Sequence, residues 1–510
     1  MYYRNEMLLT LRKLKSDSSP GWDDISPKVV QASHVYLVDI LIHLVNLSLN
    51  QGIFPDIHKI AKVVPIFKAD DMTIFTNYRP VSILNTFSKI FERIFYNRLF
   101  EFLNNEHILY DKQFGFRKSF STDMALILLM DRISSALEQG EFVLGVFLDF
   151  SKAFDTVNHN ILLEKLNHYG IRGTSNDWIR SYLTQRPQYV VYGCETSTKK
   201  NIQCGVPQGS ILGPLLFLIY INDLAKISNI LFFLMYADDT NVFLSSKNLK
   251  ELETLMNQEL SSLLEWLNAN KLSLNIKKTH FIIFSPPKTK PSYKVHLKIN
   301  NIDIQCVQQT KFLGVIIDSK LSWKDHIKYI KSKICKSIGI ISKARKYLNL
   351  NSLLCLYYAF LYPYFIYCIA VWGGTNKTTL YPLIKTQKWA LRAICGKPRR
   401  TPSAPLFTSL KMLTINQIYM LRVLMFVYKF QKSKLPSIFS QFFTKTSEIH
   451  SYSTRQSQNM YPPRCKNEIT KSLIRYSGSL LWNELEADIK ITTGSTSSFK
   501  KRIIRSWFPV

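Results

Sequence analysis

Asp238 and Asp239 stand side by side between two apolar runs, Leu231-Phe232-Phe233-Leu234-Met235 and Val242-Phe243-Leu244. Apolar strand, short polar turn, apolar strand is the pattern of a β-hairpin, here with Tyr236-Ala237-Asp238-Asp239 at its tip. Two anions on one turn repel each other unless a cation binds them. Oxygen ligands with no His or Cys nearby favour Mg²⁺, or Mn²⁺, over Zn²⁺. A short acidic turn alone is ordinarily just solvated, but a third carboxylate changes that reading. Phe142 to Leu148 is a continuous apolar run, the mark of a strand buried on both faces, and Asp149 sits where it emerges. Three carboxylates held this way can bind two metal ions about 3.5–4 Å apart, clamping the attacking and leaving oxygens of a phosphoryl transfer.

The elements that must position these groups follow from periodicity. Phe87, Phe91, Ile94, Phe95, Leu99 and Leu103 share one helical face, as do Leu249, Leu252, Met256, Leu260, Leu263 and Leu267. The apolar stretch from Ile211 to Tyr220 predicts a buried helix that tolerates Pro214 in its first turn. Val295, Leu297 and Ile299, then Asn300-Asn301, then Ile302 and Ile304, predict a hairpin. Beyond Leu321, Ser322-Trp323-Lys324-Asp325 fits a capping box. Ile327, Ile330, Ile334, Ile338 and Ile341 then line one helical face, with Lys324, Lys328 and Lys331 on another. Strands alternating with helices in this manner predict an α+β fold and not a doubly wound sheet.

At 510 residues and 46% apolar, the chain can bury the cores of two to four domains or subdomains. Its net charge of +30 calls for a polyanionic partner, nucleic acid ahead of an acidic membrane. The excess is clustered: nine basic residues against Asp325 alone between Lys320 and Lys346, and a net +11 from Thr401 to Val510. The eight cysteines form no Cys-x-x-Cys pair and predict buried free thiols in a reducing compartment. The opening Met-Tyr-Tyr-Arg-Asn-Glu lacks a signal-peptide pattern, and Lys397-Pro398-Arg399-Arg400 suits nuclear import or phosphate contact. An intracellular protein of nucleus and cytoplasm is therefore expected. Leu354 to Gly374 carries no charge over 21 residues, yet Pro363, five tyrosines and basic flanks make it a packing element and not a membrane span.

The motifs bear a family resemblance. Phe147-Leu148-Asp149-Phe150-Ser151-Lys152-Ala153-Phe154-Asp155 resembles polymerase motif A of reverse transcriptases, Gly205-Val206-Pro207-Gln208-Gly209-Ser210 motif B, and Tyr236-Ala237-Asp238-Asp239 motif C. The order and spacing are similar to those of non-LTR (LINE-type, jockey-like) retrotransposons. The likeness extends to Ser19-Pro20-Gly21-Trp22-Asp23, Asn77-Tyr78-Arg79-Pro80-Val81-Ser82, Gln113-Phe114-Gly115-Phe116-Arg117, Phe312-Leu313-Gly314-Val315 and Tyr367-Cys368-Ile369-Ala370-Val371-Trp372-Gly373. It implies a right-hand polymerase of fingers, palm and helical thumb, with a mainly helical basic C-terminal region. The expected divisions are an N-terminal helical extension at 1–55, fingers and palm at 56–318, the thumb at 319–400 and the basic region at 401–510.

What the resemblance implies for chemistry is specific. Asp149 and Asp238 would bind the metal that activates a primer 3′-hydroxyl, with Asp239 more peripheral. Lys68 and Arg79 match basic positions that contact triphosphate, and Phe154 an aromatic position under the sugar that excludes a 2′-hydroxyl. Gln208 and Gly209 match positions near the incoming base and template; a missing side chain at Gly209 also admits close approach. Lys278 matches a lysine near the leaving group, and Lys277 is an equally basic neighbour. Lys324, Lys328 and Lys331 would track phosphates of the template–primer duplex. The partners implied are an RNA template, a DNA primer and deoxynucleoside triphosphates, with no membrane. Complete elements usually carry an apurinic-type endonuclease before the polymerase; this sequence reads as a polymerase piece without it. RNA-dependent RNA polymerases are disfavoured by Phe154 and Ala237. The rival from another class is a catalytically silent, retroelement-derived nucleic-acid-binding protein.

Overall fold

The structure, a computed structural model, describes residues 4–68, 71–287, 289, 293–449, 459–490 and 494–508. The first three residues of the hexapeptide read for a leader lie outside the described residues. The strands that frame the site are β1 Ala61–Phe67, β2 Tyr78–Leu84, β3 Phe142–Leu148, β4 Arg186–Tyr192, β5 Glu195–Thr196, β6 Lys200–Ile202, β7 Phe232–Tyr236, β8 Asp239–Ser246 and β9 His280–Phe284. β3 is central in a sheet ordered Gln305–Cys306, β9, β3, β8, β7, with both of its neighbours antiparallel. In the second sheet β1 pairs antiparallel with β2 and parallel with β4, to which β5 and β6 attach.

β3 reads as one apolar run because both of its faces are packed. Leu144, Val146 and Leu148 enter one core with the helices Thr86–Asn105, Gly213–Ile221 and Leu249–Ala269. Val143 and Phe147 enter another with the helices Thr122–Glu138 and Lys324–Ala344. This is the α+β arrangement that the pattern predicts, with the helix-backed, palm-type sheet that the resemblance implies. Asn300 (φ 50) and Asn301 (φ 59) make the expected tight turn between Lys298–Ile299 and Ile302–Asp303, because Asn tolerates the left-handed conformation such turns require. Ile327, Ile330, Ile334, Ile338 and Ile341 of Lys324–Ala344 are buried, while Ile340, Lys324, Lys328 and Lys331 are exposed. Each buried isoleucine contributes about 1.5–3 kcal/mol.

Three expectations are refined or corrected. No capping box starts the Lys324–Ala344 helix: Trp323, left-handed at φ 62, precedes its first turn. Asp318 satisfies the incoming backbone, accepting from the N–H groups of Lys320 (3.1 Å), Ser322 (3.0 Å) and Trp323 (3.0 Å). A full carboxylate is a stronger acceptor than the Ser322 hydroxyl, and it already lies at the end of strand Val315–Asp318. The cysteines are all free, as expected, but only Cys368 is buried. Cys306 lies on an edge strand and Cys355 on the exposed side of helix Leu350–Phe360, and a weakly polar thiol does not force either inward. The uncharged stretch 354–374 breaks into the helices Leu350–Phe360, Tyr362–Ile366 and Ile369–Trp372, with Cys368 left-handed at φ 51. Among the described residues no helix is long and apolar enough to cross a membrane.

His326 anchors the same long helix and carries a pH dependence. It is 2% exposed, lies edge-on to Trp372 at 5.4 Å and accepts the Ile316 N–H at 3.3 Å. Burial first, and the Lys311 charge second, push its pKa down to about 4. An unfolded chain takes up this proton below pH 6.5, whereas the folded one refuses it until about pH 4. Stability therefore falls as pH drops through that window, by about 2 kcal/mol between pH 7 and pH 5. Urea midpoints at the two pH values should show this loss in the wild type and a smaller one in His326→Phe. An identical pH response in both proteins would rule it out.

Candidate active site

The hairpin register runs to Tyr236↔Asp239, leaving Ala237 and Asp238 as a two-residue turn with Ala237 at φ 57. A left-handed alanine needs external support, and Gln113 supplies it. The buried Gln113 Oε1 accepts from the N–H groups of Ala237 and Gly115, both at 2.9 Å, and its Nε2 donates to the Ala237 carbonyl at 3.3 Å. Phe114 N–H adds a bond to the Met235 carbonyl at 2.8 Å. At Gly115 even a Cβ would stand 2.2 Å from the Ala237 nitrogen, so only glycine permits this approach.

β3 pairs with β8 as far as Leu148↔Thr240, so Asp149 and Asp239 are the residues next to the last pair of that ladder. The three carboxylates feel one another. Desolvation raises the Asp238 carboxyl above its ordinary range, Asp149 adds to the rise, and Arg79 and Lys68 oppose it. Asp239 is pushed up to about 6 by desolvation on its protein side, then by Asp238 and Asp149, with Lys68 pulling down. Both cations come from one hairpin: Arg79 pairs with Ile66 across β1 and β2, and Lys68 N–H bonds the Asn77 carbonyl at 2.9 Å. Lys68 and Arg79 are exposed. Two cations therefore face three carboxylates that repel one another.

The loop 205–212 is tied to the segment after Asp149. Gly205 N–H donates to the Val157 carbonyl at 2.7 Å, Val206 N–H to the Phe154 carbonyl at 2.9 Å, and Gln208 Nε2 to Asp155 Oδ1 at 2.8 Å. On its other side Ser82 N–H donates to the Gln208 carbonyl at 2.7 Å. Gly209, at φ 122, packs where a Cβ would meet the Ser82 carbonyl oxygen at 2.5 Å. Phe154, Gln208 and Gly209 are thus brought together. The Phe154 ring lies 4.3 Å from that of Phe217 and meets Phe116 edge-on at 6.1 Å. The exposed Lys278 belongs to a turn bonded to the Asp149 backbone: Asn275 N–H donates to the Asp149 carbonyl at 2.8 Å, and Lys278 N–H to the Asn275 carbonyl at 3.0 Å. Lys277 is exposed on the same turn, so the two lysines stay unresolved as alternatives. Among the described residues, no hydrogen bond, ion pair or charge coupling ties Lys324, Lys328 or Lys331 to the acidic turn.

Sequence reasoning gave no role to three supporting residues. Gln113 holds the acidic turn and Asp155 holds Gln208. The fully buried Glu92 holds the end of the 205–212 loop, accepting from the N–H groups of Ile211 (2.6 Å) and Leu212 (3.2 Å) and from the Ser88 hydroxyl (3.1 Å). A signal for Glu92 was present, since it interrupts the apolar stripe of helix Thr86–Asn105 between Phe91 and Phe95.

Among the described residues no three His, Cys, Asp or Glu side chains form a ready-made metal cage. The donor chemistry nonetheless fits a hard divalent cation. Asp149, Asp238 and Asp239 offer only oxygen, and the mutual repulsion that raises two of them is what a bound cation relieves.

Residues 66–317 match the family described as Reverse transcriptase (RNA-dependent DNA polymerase). Over 430 residues the chain is 27% identical to the probable RNA-directed DNA polymerase from transposon BS of Drosophila melanogaster, covering 81% of this chain and 46% of that protein. Over 406 residues it is 28% identical to the RNA-directed DNA polymerase from mobile element jockey of the same fly, covering 76% and 43%. The alignments thus span less than half the length of these curated relatives. A solved structure of apo telomerase from Candida tropicalis, truncated from the C-terminal domain, overlaps with a TM-score of 0.35 at 15% identity, over 55% of this chain and 59% of that one.

Proposed function

Over residues 66–317 the chain belongs to the reverse transcriptase family, and from that premise we propose that it is the RNA-directed DNA polymerase of a non-LTR retrotransposon. It would add deoxynucleotides to a primer 3′-hydroxyl on an RNA template and release pyrophosphate. The observation that carries this reading is the electrostatic grouping of Asp149, Asp238 and Asp239 with Lys68 and Arg79. In the corresponding division of labour, 56–318 are fingers and palm, 319–400 the thumb, 1–55 a helical extension and 401–510 a basic appendage.

Asp149, Asp238 and Asp239 would hold divalent metal, Mg²⁺ or Mn²⁺, which when bound acidifies a hydroxyl and offsets phosphate charge. The remaining work is positioning and electrostatics. Lys68 and Arg79 attract the triphosphate from the hairpin above the acidic turn. Gln208, oriented by Asp155, faces the nucleotide, and the absent side chain of Gly209 leaves room beside it. Phe154, stiffened by Phe217, bounds the sugar. The exposed lysines 324, 328 and 331 attract duplex phosphates through a salt-sensitive, sequence-independent field.

Primer extension on RNA with Mg²⁺ tests the proposal. Deoxynucleotide addition supports it; salt-sensitive RNA binding without synthesis would instead favour a silent binding protein. Within that assay Phe154→Val should raise use of ribonucleotides relative to deoxynucleotides by about 10²-fold in the ratio of kcat/KM values. Unchanged discrimination would remove Phe154 from sugar selection.

A further inference from the structure

Phe116 is 51% exposed beside the acidic turn, with its backbone left-handed at φ 54. Single exposed aromatic residues are ordinary, but a bulky residue adopts this conformation only where its surroundings impose it. Here they do so from both sides. Gly115 is wedged against Ala237 and bonded to Gln113. Arg117 turns inward, its Nη1 donating to the Tyr110 carbonyl at 2.9 Å and its guanidinium 4.2 Å over the Phe120 ring. Phe114 is buried. The chain thus spends a strained position on directing one ring outward.

That ring meets Phe154 edge-on, at 6.1 Å and 90°. Phe154 comes from the segment bonded to the 205–212 loop, and Phe116 from the segment bonded to the acidic turn. The two rings form an aromatic corner where the segment bonded to the acidic turn meets the segment bonded to the 205–212 loop, with the Phe116 ring half open to solvent. A fixed, exposed π-surface at a nucleotide site suits a nucleobase, and suits all four alike because every base has a π-face.

We propose that Phe116 is a nucleotide-binding residue: its ring stacks on the base of the incoming deoxynucleotide while Phe154 bounds the sugar. This rests on the polymerase reading. Phe116→Ala should raise KM for each deoxynucleotide about tenfold, equivalent to about 1.4 kcal/mol, and leave kcat within about twofold. Phe116→Trp should restore the wild-type KM. Phe116→Asn, whose side chain tolerates the left-handed backbone, should behave like the alanine variant, separating loss of the ring from loss of the loop.

A second readout keeps binding apart from chemistry. 2-Aminopurine deoxynucleoside triphosphate is titrated into protein on an RNA template whose primer ends in a 3′-dideoxy residue. The alanine and asparagine variants should bind it about tenfold more weakly than wild type. Equal binding by wild type and both variants overturns the proposal, as does a fall in kcat at unchanged KM, which would mean that Phe116 acts through the acidic turn. A wild type that neither incorporates nor binds nucleotide overturns the polymerase reading itself, and the proposal with it.

Discussion

Replacing Asp238 and Asp239 together by Asn should stop deoxynucleotide incorporation, a fall of more than about a thousandfold, because several kcal/mol of charge stabilisation leave with the bound cation. The variant should stay folded. Both carboxyls titrate above the ordinary aspartate value of 3.8, Asp239 near 6, so without a counterion their ionised forms oppose folding. A raised carboxyl pKa means that the native state holds its proton longer than the unfolded chain does. Stability is thus lost as pH rises from about 4 through about 6. In EDTA at pH 7.5 the double variant should accordingly melt no lower than wild type. Incorporation at the wild-type rate by a folded variant would sink the assignment of this turn to catalysis.

Glu92→Ala should be the most damaging single change outside the acidic turn. Its buried carboxylate accepts from Ile211, Leu212 and Ser88 and attracts Arg186, itself buried, whose Nη1 donates to the Tyr182 carbonyl at 2.8 Å. Burial raises the Glu92 pKa, and Arg186 together with the two backbone N–H groups opposes the rise. Removing the carboxylate leaves a buried guanidinium uncompensated and two backbone donors without an acceptor, a loss of about 3–5 kcal/mol. Glu92→Gln keeps one acceptor oxygen and should cost about 1–3 kcal/mol. Denaturant midpoints at fixed pH measure both. If the alanine variant lost less than about 1 kcal/mol, the carboxylate would not be what holds this loop.

The parts of the site that sequence makes legible are those written in local pattern. β3 announces itself as an unbroken apolar run because two cores share it, and Asp149 is visible because a charge ends that run. The acidic hairpin is visible because its polar turn is bracketed by apolar strands, and the Lys324–Ala344 helix because five isoleucines recur at helical spacing. Gln113 and Asp155 carry no such pattern, since each is defined by a partner distant in sequence, Ala237 and Gln208; Glu92 shows only as a break in an apolar stripe, its partner Ile211 being equally distant. The helix start departs from its local pattern for a related reason. The Ser322-to-Asp325 spacing satisfies a local rule, but Asp318 had already taken the backbone donors. Cysteine burial failed because thiol chemistry sets no preference strong enough to survive an edge strand or a helix's outer face.

The central place of β3 also sets a timetable for synthesis. Its two partners, β8 and β9, lie downstream, so its second edge stays open until Phe284 has been made. Roughly 140 residues separate the start of β3 from that point, and at the usual pace of translation they take roughly 10–30 s to emerge. Throughout that interval the nascent chain exposes an apolar strand that can pair with any other. Chaperone binding to the ribosome-bound intermediate is therefore the natural companion of this sheet order, and a fragment ending before β9 would carry an aggregation-prone edge permanently.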